Sequence, residues 1–354
     1  MDRAKARRRG LLFGALAAGA AAGLAAERYL VGRERGRPDP EAREAFGELR
    51  GRDVGPVESF DGTRLHVEVV DGHGPTIVLS HGFSLNLTAW HYQIRDLPPG
   101  YRLVLYDHRG HGRSEQARRG DWSLDALARD LEAVIRANGG PDPVAVVGHS
   151  MGGMTALRFA ALFPEQVGSR IAALGLVNTT AADVMGGMLP GAARRLAAGV
   201  QMVQEGAVRA LASNALRIDR LRGRTRDLAF LAVRFAGLGP KALPSVVEFT
   251  DRMLADCPSE VWAHLLPALL GLDVTEVLDV IDVPTLVVAG THDKLTPPGA
   301  AERIASAIKG AELAVIRDAG HMTFLERPHS FNARLRAFLQ SVPALALGVP
   351  RRAG

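Results

Sequence analysis

Six short apolar runs rich in Val, Ile and Leu recur along this chain, at residues 76–79, 103–106, 144–147, 174–177, 285–289 and 313–316. Bounded by Gly or Pro and only four or five residues long, they have the pattern of strands covered on both faces, which need no polar alternation. Amphipathic stretches at 123–138, 151–163, 298–308 and 328–339 lie between or after them, with Ser123 placed to cap the first. This alternation predicts an α/β fold: a mainly parallel sheet with helices on both faces and functional loops at the carboxyl ends of the strands. Ahead of it, residues 57–70 read as two extended runs about the turn Asp61-Gly62, a hairpin signal.

One connection, from about residue 180 to 281, is far too long for a turn and is full of Ala, Leu and Arg. Its patterning predicts an inserted, mostly helical cap over 183–278, leaving 57–182 and 279–342 as the core. A chain of 354 residues, 47% hydrophobic, can build one such core with one embellishment.

The N-terminus poses a membrane question. Residues 10–26 carry no charge and follow the basic cluster Arg3, Lys5, Arg7, Arg8 and Arg9. As a helix the stretch would span about 26 Å, slightly short of a hydrocarbon core of about 30 Å. Three readings compete: an uncleaved anchor, a signal peptide cleaved near Ala18-Gly19-Ala20, and a helix lying on the membrane surface. Residues 1–32 are read as the anchor or signal, with membrane association preferred over an exported or cytoplasmic chain. Residues 33–56, rich in Arg, Glu, Gly and Pro, read as a linker.

The net charge of +5 comes largely from that basic cluster and from Arg217, Arg220, Arg222, Arg224 and Arg226. Neither group is interleaved with stacking aromatics, so no nucleic-acid partner is expected. The single cysteine, Cys257, cannot form an internal disulfide and is read as a buried or cap thiol. No metal-ligand spacing and no phosphate-binding loop appears, and neither metal nor cofactor is expected.

The chemistry gathers at strand ends. The run 144–147 leads directly into Gly148-His149-Ser150-Met151-Gly152-Gly153. A serine on a sharp strand-to-helix turn adopts a strained backbone, and small residues two positions either side let strand and helix pack closely. G-x-S-x-G alone is a weak signal; partners in the chain order nucleophile, acid, base strengthen it. His321 follows the last strand, and Asp293 follows its neighbour in Gly290-Thr291-His292-Asp293. A carboxylate there would fix the imidazole tautomer and stabilise the imidazolium formed as Ser150 loses its proton. Asp318, three residues before His321, is the rival acid and reads better as a turn residue. The backbone amides of Phe83 and Met151 are the candidate oxyanion donors. His81 reads as a structural histidine. Phe83, Trp90, Met151 and an apolar cap suggest a pocket for a small hydrophobic acyl substrate, with Trp90 either pocket or core.

With His81-Gly82-Phe83, the segment from Asp107 to Ser114, the Ser150 turn, Gly290-Thr291-His292-Asp293 and Gly320-His321 in place, residues 57–340 resemble the α/β-hydrolase superfamily. The resemblance implies a lidded, esterase-like branch in which Ser150, Asp293 and His321 are catalytic and the segment from Asp107 to Ser114 is structural. Branches that dehalogenate or open epoxides carry aspartate where this chain has Ser150, so the serine favours an acyl-enzyme that water cleaves. Esterases and lactonases share the pattern, as do carbon–carbon bond hydrolases, aminopeptidase-like members and haloperoxidase-like perhydrolases. Some members of the superfamily bind a small ligand without turning it over.

Overall fold

The computed structural model describes residue 23, residues 25–184 and residues 226–348. Eight strands form one sheet in the order β1-β4-β6-β5-β7-β8-β9-β10. They are β1 (Arg52–Asp53), β4 (Val67–Val70), β5 (Thr76–Ser80), β6 (Arg102–Tyr106), β7 (Val144–His149), β8 (Ile171–Val177), β9 (Thr285–Gly290) and β10 (Glu312–Ile316). From β6 to β10 every pairing is parallel, while β4 and β1 close one edge antiparallel. β2 (Val57–Glu58) and β3 (Arg64–Leu65) form the hairpin about Asp61-Gly62.

Every residue of β5, β7 and β9 is buried. Successive side chains of a strand point to opposite faces, and the core divides accordingly. Val78, Val144 and Val146 join one cluster with Leu157 and Phe159, whereas Ile77, Leu79, Ala145 and Val147 join the other with Phe324 and Phe331. Leu124–Asn138 and Met151–Leu162 cover the first face, and Pro328–Ser341 covers the second. The Ser123 hydroxyl accepts from Ala126 N at 3.2 Å and caps its helix. The run 313–316 departs from the doubly covered pattern: β10 is an edge strand, and Leu313 and Val315 remain exposed on it.

The insertion opens after β8. Its residues 185–225, with Arg217, Arg220, Arg222 and Arg224, lie outside the described residues. From residue 226 to 270 the insertion is mostly helical: Arg226–Ala232, a π-helical turn at Val233–Gly237, then Pro244–Asp256 and Ser259–Leu270. A bridge from Asp273 to Ala182 returns the chain to the sheet. Cys257 is buried within this part.

The membrane-anchor expectation is corrected here. No helix among the described residues is long and apolar enough to cross a membrane. Residues 10–22 and 24 of the uncharged stretch lie outside the described residues. Residues 25–35 form a helix that carries Glu27, Arg28, Arg33, Glu34 and Arg35, and it docks on the body by burying Val31 and Glu34. Residues 33–56 do not behave as a linker either. Phe46 is buried against His91, Tyr92 and Phe249, Glu44 accepts from His91 at 2.8 Å, and β1 extends the sheet.

Candidate active site

Ser150 sits between β7 and the helix Met151–Leu162 with φ 51° and ψ −114°, in the left-handed half of backbone space that a side chain rarely adopts. Neighbouring glycines allow this. A Cβ on Gly148 would lie 2.3 Å from the Gly152 carbonyl oxygen, and one on Gly152 would lie 2.2 Å from that of Ser80. Two further bonds hold the turn: Ser150 N donates to Val177 O at 2.9 Å, and Thr179 Oγ1 donates to Ser150 O at 2.7 Å.

Asp293 and His321, the expected acid and base, meet at the ends of β9 and β10. His321 Nδ1 lies 2.9 Å from Asp293 Oδ2. Asp293 is buried and fully engaged: Oδ1 accepts the amides of Leu295 and Thr296, and Oδ2 also accepts Thr296 Oγ1 at 2.8 Å. Burial alone would raise its pKa; the adjoining His321 and these hydrogen bonds outweigh that and hold it at about 2. It is therefore an anion at neutral pH, able to accept from Nδ1–H and so leave Nε2 as the basic nitrogen. His149 connects this pair to the serine turn, because its Nε2 donates to the backbone carbonyl of His321 at 2.9 Å and the two rings lie 4.8 Å apart. Among the described residues no hydrogen bond engages Ser150 Oγ or His321 Nε2. Catalytic hydrogen bonds are often long without substrate and tighten on binding. Asp318 is exposed, has φ 59° and pairs with Lys241 at 2.7 Å, as befits a turn residue.

The loop after β5 carries Phe83 against the serine turn. A Cβ on Gly82 would lie 2.6 Å from His149 Nδ1 and 3.3 Å from Ser150 Cβ, so the two loops touch. Two buried histidines hold this loop. His108 N donates to His81 Nε2 at 3.0 Å, and Ser84 N donates to His111 Nε2 at 3.1 Å. Burial keeps both imidazoles neutral, His81 well below its ordinary pKa and His111 at about 4. Neutral rings can accept those amides. Met151 is the first residue of its helix, where an amide has no intrahelical partner. The Phe83 ring packs 4.7 Å from Trp262 of the insertion helix Ser259–Leu270. Trp90 takes the core option: it is fully buried with its ring 4.5 Å from Phe324.

The sequence model of the alpha/beta hydrolase fold family matches residues 75–328. The chain belongs to this family. Among its relatives, 3-oxoadipate enol-lactonase 2 of Acinetobacter baylyi is 29% identical, over 75% of this chain and 89% of its own length. Polyketide synthase ThaQ of Burkholderia thailandensis is 32% identical over 76% of this chain, a match spanning 12% of that protein. The solved structure of a thermophilic esterase from Thermogutta terrifontis superimposes with a TM-score of 0.66 at 26% identity, covering 81% of this chain and 98% of its own.

This alpha/beta hydrolase also uses residues that no motif marks. Asn178, just past β8 with φ 46°, donates from Nδ2 to Asp293 Oδ2 at 2.8 Å and to Gly320 O at 3.2 Å. Its Oδ1 accepts from Thr323 Oγ1 at 2.6 Å. The only signal in the sequence is an Asn immediately after an apolar strand, a residue that tolerates left-handed backbone. In the segment from Asp107 to Ser114, Arg109 is fully buried and bonds Asp130 at 2.6 and 2.7 Å and Asp61 at 3.1 Å, fixing the hairpin to the helix Leu124–Asn138.

Proposed function

We propose that this chain is a serine hydrolase that cleaves a carboxylic ester or a closely related small acyl substrate through an acyl-enzyme on Ser150. The observation that carries the reading is the Asp293–His321 pair, 2.9 Å apart at the ends of β9 and β10, whose backbone is bonded by His149, the residue beside left-handed Ser150. The names of the enol-lactonase and the esterase support acyl chemistry of this kind.

In the first half-reaction Ser150 Oγ attacks the acyl carbon as His321 Nε2 takes the hydroxyl proton, and Asp293 stabilises the resulting imidazolium. Negative charge collects on the former carbonyl oxygen, where the Phe83 and Met151 amides would receive it. Collapse expels the alcohol, which leaves with the proton from His321. Water then attacks the acyl-enzyme by the same exchange, releasing the acid and restoring Ser150. Phe83 and Trp262 would place an apolar wall beside these amides, suited to a hydrophobic acyl or alcohol group.

Ser150→Ala should abolish turnover of p-nitrophenyl esters and labelling by a fluorophosphonate, with the circular dichroism spectrum unchanged. Retention of most of the activity would exclude Ser150 as nucleophile. Esters of graded chain length would then define the acyl pocket.

A further inference from the structure

The loop that carries His321 is fastened by a carboxylate the mechanism does not use. Glu326, at the end of the short helix Thr323–Glu326, is buried, and its hydrogen-bond partners among the described residues are all backbone amides. Oε1 accepts from Gly320 N at 2.8 Å and Met322 N at 3.1 Å, the two amides flanking His321. Oε2 accepts from Gly239 N at 2.7 Å, and Gly239 belongs to the insertion. The contact between these segments is broad. His321 N donates to Gly237 O at 2.8 Å and Lys241 Nζ to Asp318 Oδ2 at 2.7 Å, while Lys294 Nζ beside Asp293 donates to Phe235 O at 2.6 Å. A Cβ on Gly239 would lie 2.6 Å from Asp318 O, so the two backbones lie directly against each other. On its far side the same turn is gripped by Arg234, which donates to Gly239 O at 3.1 Å and Pro240 O at 2.9 Å and pairs with Glu34 at 2.8 Å. The π-helical turn Val233–Gly237 leads into it, a rare geometry that often marks functional sites.

We propose that Glu326 is a positioning residue that couples the insertion turn at residues 238–241 to the base, so that His321 is held in register with Asp293 and Ser150 only while that turn is docked. This rests on the assignment of His321 as the base. The coupling arises because one group serves two clients. A carboxylate has acceptor oxygens only, so it can take amides from both segments at once and no uncharged side chain of its size can do the same. Undocking the turn removes the partner of Oε2 and the acceptor of His321 N together. The backbone at 320–322 is then free to shift, and a displacement of about 1 Å at a reacting group can cost on the order of a hundredfold in rate.

Two variants separate the clients. In Glu326→Gln the amide oxygen can still take Gly320 N and Met322 N, which leaves its NH2 group facing Gly239 N–H, donor against donor. The link to the insertion is lost while Gly320 N and Met322 N keep their acceptor. Glu326→Ala removes both. In the full chain, amide hydrogen exchange by mass spectrometry should speed up at 237–241 in the Gln variant and less strongly at 320–322, where His321 N loses the Gly237 carbonyl, and strongly at both segments in the Ala variant. With p-nitrophenyl butyrate, kcat should fall about tenfold in Glu326→Gln and further in Glu326→Ala, with KM within about twofold of wild type. Faster exchange at 237–241 with kcat within about twofold of wild type would overturn the coupling and leave Glu326 a structural group, as would unchanged exchange. If the Ala variant does not fold, the near-isosteric Gln variant decides. Absence of both turnover and fluorophosphonate labelling in the wild type would tell against the triad itself, and the exchange pattern alone then judges the link.

Discussion

Asn178 ties three segments together around Asp293 with one side chain. Its amide gives Asp293 Oδ2 a second fixed donor besides Thr296 Oγ1, and its carbonyl takes the Thr323 hydroxyl from the helix after His321. Asn178→Ala leaves that buried hydroxyl without its acceptor and lets the carboxylate swing. We expect a loss of about 1–3 kcal/mol of stability, measured by urea unfolding, and a fall in kcat of about tenfold with KM little changed. If stability falls while kcat of the folded protein is retained, Asn178 does not orient the acid. The triad candidates are legible because each stands in a glycine-marked turn after a predicted strand. Asn178, His149 and the insertion link of Glu326 are not, because the partners concerned, Asp293, the His321 carbonyl and Gly239, lie 115, 172 and 87 residues away, with no local pattern to betray the pairing. Trp90 shows the opposite difficulty. An aromatic a few residues after Phe83 fits pocket and core equally well until packing places it, and here it packs on Phe324.

Among elements, the strands of the parallel sheet and the helices flanking them stand within a few residues of their predicted positions, since apolar runs and amphipathic periods are properties of the segments themselves. The segment 33–56 misleads for a related reason. Its charges look solvated in sequence, yet Glu34 meets Arg234, Glu41 meets Tyr92 and Glu44 meets His91 and Arg95, all far along the chain. A chain beginning at Val57 would therefore lose β1 and strip Phe46 from the His91, Tyr92 and Phe249 rings. Removing one such buried aromatic costs about 3–5 kcal/mol. Relative to a chain beginning at residue 23, we expect the Val57 start to lower Tm by about 10 °C or more, or to yield insoluble protein. Equal melting of the two would show that the docked segment contributes nothing to the fold.

For the molecule as a whole, the interior around the site is built on neutral imidazoles, and this sets its response to acid. His81, His108, His111 and His149 are all buried, and burial depresses each, His111 to about 4 and His149 to about 3, the latter aided by His321 nearby. Below the ordinary histidine value near 6.5 the unfolded chain takes up protons that the folded chain refuses, so stability is lost as pH falls. Each fully engaged group contributes about 1.4 kcal/mol per pH unit in that window. Asp107, Asp130 and Glu326 act in the opposite sense, because burial raises them and the folded state then gains protons first on acidification. Their unfolded forms stay ionised down to about 4, so these three carboxyls offset part of the histidine loss within the same window, three groups against four. The depressed pKa of Asp293 matters later still, between about 4 and 2. Melting followed from pH 8 to pH 4.5 should therefore be level down to about 7 and fall below about 6, by less than four unopposed histidines would give, with turnover failing at the same pH on long incubation. A Tm that holds constant from pH 7 to pH 5 would mean that these histidines, or the carboxyls opposing them, ionise otherwise than their burial dictates.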